Sequence, residues 1–270
     1  MEAFIIVLVA IIGFSFVFEM IFAQPEMGKV IYGLIPSIPN ESALYIAIGI
    51  IGATVMPHNL YLHSSLVQTR KFSRTDSGIK QSLKYNFIDS TIALNLAFFV
   101  NAAILILAAA TFYKNGMYEV AEIQDAHRFL APLLGTQWAP ILFAVALIAA
   151  GQSSTITGTL AGQIVMEGFL DLRLKPWIRR LITRLIAILP AFFITWVWGE
   201  SKIGDLLIFC QVVLSMQLSF AVIPLVWFTS DAKKMGKFVN APWLTVSAWI
   251  ISAIILSLNL YLLAQILFDM

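Results

Sequence analysis

Seven runs of roughly 20 or more mostly apolar residues fill this chain, over about 3–23, 43–69, 85–113, 137–168, 178–198, 204–229 and 243–267. Each is long enough to cross a hydrocarbon core about 30 Å thick. Lipid offers no water to the backbone, so each run must satisfy its own N–H and C=O groups as a helix. Composition agrees: 60% of the residues are hydrophobic, 12% are charged and the mean hydropathy is +0.87. A soluble domain is about half apolar and about a quarter charged. The reading is an all-α polytopic membrane helix bundle, a single transmembrane domain over 1–270 with seven transmembrane helices, one of them interrupted. The lipid bilayer is its first partner. A net charge of +2 builds no basic surface, so nucleic acid is not a partner. One cysteine, Cys210, excludes an internal disulfide and a cysteine-based zinc cluster. The start, Met1-Glu2-Ala3-Phe4, lacks a basic leader region, so the first run is read as a retained helix.

The basic residues orient the spans. Arg70, Lys71, Arg74, Lys80 and Lys84 lie in one connection, Arg173, Lys175, Arg179, Arg180 and Arg184 in a second, and Lys233, Lys234 and Lys237 in a third. These are 13 of the 17 basic residues, and alternation over seven spans puts them all on one side. That side is the cytoplasm. The N-terminus is then inside and the C-terminus outside. The outward connections are 24–42, 114–136 and 199–203. The first carries Asn40-Glu41-Ser42, a glycosylation pattern in a eukaryotic secretory setting. Residues 125–130 of the second suit a short surface helix, and the polar segment 70–84 suits the inner membrane surface.

The second run is interrupted by "GATVMPHN", residues 52–59. Pro57 has no N–H and its ring clashes with the carbonyl four residues back, so the Ala53 oxygen loses its helical partner. Met56 precedes the proline and is pushed toward extended geometry, and Gly52 eases unwinding. Freed backbone at membrane depth is tolerated beside a cavity or inside protein, and broken helices mark substrate and ion sites in secondary transporters. The Ala53 carbonyl alone suits a hard cation. The Met56 thioether is soft and favours a transition metal. A simple proline kink with Met56 as packing is the competing reading.

"GATVMPHNLYLHSSLVQTR" (52–70), "GQSSTITGTLAGQIVMEGFL" (151–170) and "CQVVLSMQLSFAVIPLV" (210–226) resemble the sixth, eighth and tenth helices of the Nramp family of proton-coupled divalent metal transporters. The resemblance implies part of a LeuT-like fold of two inverted repeats. It implies transport of Mn²⁺ or Fe²⁺ as substrate, with protons as co-substrate and no resident cofactor, by alternating access, in a plasma (inner) membrane. It implies metal contacts from the Ala53 carbonyl, Met56 and Gln211, with Thr54, Asn101 and Gln217 along the pathway or gate. His58 and His63 would be proton-linked; a spacing of five turns them about 140° apart, too far to share one ion. Family members have at least eleven spans and an Asp-Pro-Gly-Asn break in their first helix. No such motif occurs here, so the chain is expected to start at the family's fifth helix, without the metal-neutralising carboxylate, and to transport weakly or not at all alone. Ser219 stands where many members carry proline.

Among the remaining polar residues, Glu19, Asp89 and Glu167 fall near span ends where solvation is easy, the latter two within reach of Lys84 or Arg173. Arg179, Arg180 and Arg184 suit orientation and lipid contact. Gly151, Ser154, Gly158 and Gly162 share a helix face that suits packing inside the bundle. No zinc-hydrolase, nucleophile-elbow or phosphate-loop pattern occurs, so an enzyme is not expected. A sodium-coupled organic solute transporter of LeuT-like fold is the alternative function, which the thioether at 56 argues against. A truncated chain that transports nothing is the third.

Overall fold

A computed structural model describes residues 2–118, 120, 122–170, 175–199 and 203–268. Eleven helices account for nearly all of them: α1 (Glu2–Ala23), α2 (Met27–Tyr32), α3 (Glu41–Val55), α4 (Pro57–Gln68), α5 (Asp76–Thr111), α6 (Ile123–Leu134), α7 (Trp138–Leu170), α8 (Pro176–Trp198), α9 (Ile203–Ser230), α10 (Ala232–Met235) and α11 (Pro242–Phe268). Six spans among the described residues are long and apolar enough to cross a membrane, α3 and α4 together counting as one. The seventh expected span, α8, has a shorter apolar stretch, Leu181–Val197.

Helix starts follow capping chemistry. The Asn40 side chain accepts from the Ala43 N–H at 2.8 Å and opens α3. Thr75 accepts from the Gly78 N–H at 3.3 Å, with Asp76 in the first turn. This cap starts α5 nine residues before its apolar run, so much of the basic segment 70–84 is helix.

The chain divides into two compact units. The first comprises residues 1–36 and 68–160. Its core joins Phe16 of α1, Leu107 of α5 and Ala146 of α7, with Leu134 of α6 beside them. On its polar rim Glu26 receives Lys29 at 2.9 Å and Lys114 at 3.0 Å. At the other end Arg70 pairs with Asp89 at 3.1 Å, in place of the expected Lys84. Glu19 departs from expectation more sharply. It is fully buried rather than solvated, because the face of α1 that carries Phe16, Met20 and Ala23 turns into this core.

The second unit comprises residues 37–67 and 161–270. Leu44 and Ile48 of α3 pack on Val212 of α9 and Leu262 of α11. A β-carbon at Gly162 would lie 2.6 Å from Thr183 Cγ2, so that glycine lets α7 meet α8. At Gly151 and Gly158, in contrast, an added β-carbon would meet no described atom within 4 Å. Among the described residues, this face is packed at its Gly162 end. Arg173 lies outside the described residues, as do the side chains of Arg179 and Arg180.

Candidate functional site

The site is built where α3 stops. α3 ends at Val55, Met56 is non-helical, and α4 begins at Pro57. The Met56 N–H still donates to the Gly52 carbonyl at 3.1 Å. Pro57 has no hydrogen to offer Ala53, so that carbonyl lacks its helical donor. Met56 takes φ 36° and ψ 107°. The ψ is the extended value that a following proline favours. The φ is positive, a region that non-glycine residues enter at a cost and that is concentrated at functional sites.

Gly52 has a different task from the one its sequence context suggests. It stays helical and fully buried against α9, where a β-carbon would collide with the Gln211 carbonyl oxygen and lie 2.8 Å from the Ser215 nitrogen. The glycine thus serves close approach of two backbones, and the unwinding falls on Met56. One turn earlier, a β-carbon at Gly49 would lie 3.6 Å from Ile208 and Val212 side chains, so α3 runs close along α9 on the approach to the break.

This approach sets the Gln211 backbone against Gly52, one turn before the break. Its side-chain oxygen Oε1 is buried and has no hydrogen-bond partner among the described residues. A carbonyl oxygen in that condition is costly unless a donor or a cation meets it. Met56 and Ala53 are both half-buried on the facing helix. One turn on from Gln211, Ser215 and Asn259 are buried and doubly bonded: the Ser215 hydroxyl donates to Asn259 Oδ1 at 3.1 Å, and Asn259 Nδ2 donates to the Ser215 carbonyl at 2.8 Å. Sequence reading passed over this pair, although an asparagine within the apolar stretch "LSLNLYLL" was a visible signal.

The other candidates are more dispersed. The Thr54 hydroxyl donates to the Ile50 carbonyl at 2.7 Å, so its proton is committed to its own helix. His58 is half-buried and His63 exposed on α4. Gln217 is exposed, on a different face of α9 from Gln211. Asn101 is exposed on α5 and belongs to the first unit, whereas the break belongs to the second. Among the described residues no group of three His, Cys, Asp or Glu side chains comes together. The candidate donors named at the break, the Ala53 carbonyl, the Met56 sulfur and Gln211 Oε1, are all uncharged.

Long apolar helices, one of them broken between Val55 and Pro57, define an integral membrane protein. Residues 1–265 match the family model described as "Natural resistance-associated macrophage protein-like", and the chain belongs to this Nramp family. It is 56% identical over 265 residues to the divalent metal cation transporter MntH of Listeria innocua, covering 97% of this chain and 59% of that one. It is 57% identical over 270 residues to MntH of Bradyrhizobium diazoefficiens, covering 99% and 60%. The crystal structure of the Eremococcus coleocola manganese transporter with an aromatic bis-isothiourea substituted compound superposes with a TM-score of 0.83, at 39% identity over 96% of this chain and 58% of that one. The chain thus spans about three-fifths of the length of the curated relatives it matches.

Proposed function

We propose that this chain forms the part of a divalent transition-metal transporter that contributes the neutral half of the metal site. The substrate is Mn²⁺ or Fe²⁺, moved inward across a plasma membrane with protons by alternating access. The Ala53 carbonyl, the Met56 sulfur and Gln211 Oε1 are the ligands. Thr54 and Gln217 belong to the pathway within the second unit, and His58 and His63 respond to protonation as the site changes its exposure. The termini lie in the cytoplasm (N) and outside (C). The observation that carries this reading is the buried, unpartnered Gln211 oxygen on the residue whose backbone packs against Gly52, one turn before α3 ends. The sulfur supplies selectivity: a thioether favours Mn²⁺ and Fe²⁺ over Ca²⁺ and Mg²⁺ and serves Na⁺ poorly. The MntH relatives and the manganese transporter support the metal over an organic solute.

Calorimetric titration of the purified chain with Mn²⁺, Na⁺ and amino acids tests it. Mn²⁺ binding should appear and weaken at least about tenfold in Met56→Ala and in Gln211→Ala, a loss of about 1.4 kcal/mol. Mn²⁺ heats that neither substitution alters, or heats from an amino acid instead, would sink the reading.

A further inference from the structure

Just past the end of α1 the chain exposes apolar side chains in a regular pattern. α2 (Met27–Tyr32) buries none of its residues. Its winding continues beyond Tyr32: the Gly33 N–H donates to the Lys29 carbonyl at 2.9 Å, Leu34 to Ile31 at 3.2 Å and Ile35 to Tyr32 at 3.1 Å. On a helix, Met27, Val30, Ile31, Leu34 and Ile35 share one stripe about 140° wide. Met27, Ile31, Leu34 and Ile35 are 64%, 64%, 70% and 63% exposed. Lys29 stands opposite the middle of that stripe.

The charged side of the segment is the side tied to the protein. Lys29 reaches Glu26 at 2.9 Å, and Glu26 also receives Lys114 at 3.0 Å from the turn that follows α5. Tyr113 and Tyr118 flank that lysine, edge to face with ring centroids 5.1 Å apart, and are 68% and 72% exposed. The apolar stripe is therefore left uncovered while the polar side is held.

Chain length sets the depth at which this happens. The 22 residues of α1 rise about 33 Å, against a hydrocarbon core about 30 Å thick. α1 ends at Ala23 and α2 begins at Met27, so α2 falls at the edge of the core. The ion pair to Lys114 puts the end of α5 at the same level. Exposed tyrosines suit that level, where the ring meets acyl chains and the hydroxyl meets water. Phe14, Val17, Phe18 and Ile21 are exposed along the last turns of α1, so apolar exposure continues from the span into α2.

We propose that Met27–Ile35 is an interfacial anchor, lying along the bilayer surface with its apolar stripe among phospholipid acyl chains and Lys29 among the headgroups. The partner is the lipid itself. Both lysines are paired with Glu26, so the attraction is apolar and a zwitterionic lipid suffices. The anchor fixes the depth of α1 and α5 within the first unit, and it is independent of the metal reading, which rests on the second.

Site-directed spin labelling of the full 270-residue chain in phosphatidylcholine vesicles tests the proposal. Cys210→Ser removes the one native thiol, and Met27→Cys, Ile31→Cys, Leu34→Cys and Lys29→Cys each place a single nitroxide. All four positions are exposed, so the labels displace no core side chain. Labels at 27, 31 and 34 should collide with oxygen, which concentrates among acyl chains, and should be shielded several-fold from a water-soluble nickel complex relative to the label at 29. Labels at 27, 31 and 34 as open to nickel as the one at 29 overturn the proposal. Labels shielded from both reagents overturn it too, because they place the stripe under protein, from a second copy or another chain.

Discussion

Asn259 and Ser215 grip each other twice, side chain to side chain and side chain to backbone, across the packing of α11 on α9. Both residues are buried, so no water competes for either bond. The Ser215 carbonyl lies on the turn of α9 that follows Gln211, which makes the pair a brace for the candidate ligand. Asn259→Leu should lower thermal stability by about 1–2 kcal/mol, the range for buried interhelical hydrogen bonds. It should also weaken Mn²⁺ binding although residue 259 offers no ligand. Calorimetry together with thermal unfolding in detergent reads both effects. Full Mn²⁺ affinity in a destabilised variant would limit the pair to structure.

Gly52→Ala carries a sign test. Alanine in place of a helical glycine ordinarily stabilises by about 0.8–1 kcal/mol. Here the new β-carbon meets the Gln211 backbone, which cannot rotate aside. The expected outcome is a loss of roughly 1–3 kcal/mol, the range for overpacking, measured as a lower unfolding midpoint. Stabilisation would show that α3 and α9 are free to separate.

Met56 combines a strained backbone with a proposed ligand, and two substitutions separate them. Met56→Gly removes both and Met56→Ala removes the sulfur alone. Glycine at φ 36° should be more stable than alanine at the same position by about 1 kcal/mol. Both variants should lose discrimination of Cd²⁺ and Mn²⁺ against Ca²⁺ to the same degree. Unequal stability with equal selectivity, read by unfolding and by competition binding, is the signature of this division.

Acid should loosen the rim of the first unit at one place. Hydrogen bonds from Lys29 and then Lys114 hold the Glu26 carboxyl below the ordinary carboxylate range. The folded value is the depressed one, so the stabilisation is present above the unfolded-state value. It is lost as pH falls through the folded one. Carbon NMR of labelled glutamate should find the Glu26 titration moved upward in Lys29→Ala and again in Lys114→Ala. The group is fully exposed, so global stability near neutral pH should hardly respond to either change.

What could be read from residues alone was what local chemistry controls. The interruption at Met56 was legible because proline removes one hydrogen and blocks one carbonyl, whatever surrounds it. The apolar runs were legible because lipid leaves the backbone a single solution. The Thr75 cap that extends α5 into a basic segment was equally local and could have been read. Gly52 was visible as a glycine, but its reason lies 159 positions away at Gln211. The burial of Glu19 was misjudged because distance from a helix end says nothing about which face turns inward. The Asn259–Ser215 brace depends on the packing of α11 against α9, which periodicity does not encode.

The contact of α3 with α9 at Gly52 is made by main chain on both sides, and an Ala53 carbonyl would be carried by any residue at that position. Replacement at 53 leaves that oxygen in place, and the contact holds for as long as position 52 is glycine. The frame is constant, and positions 56 and 211 are the two adjustable settings within it. Changes of ion preference among chains of this design should therefore arise by exchange at those two positions, without any change in how far apart the helices stand.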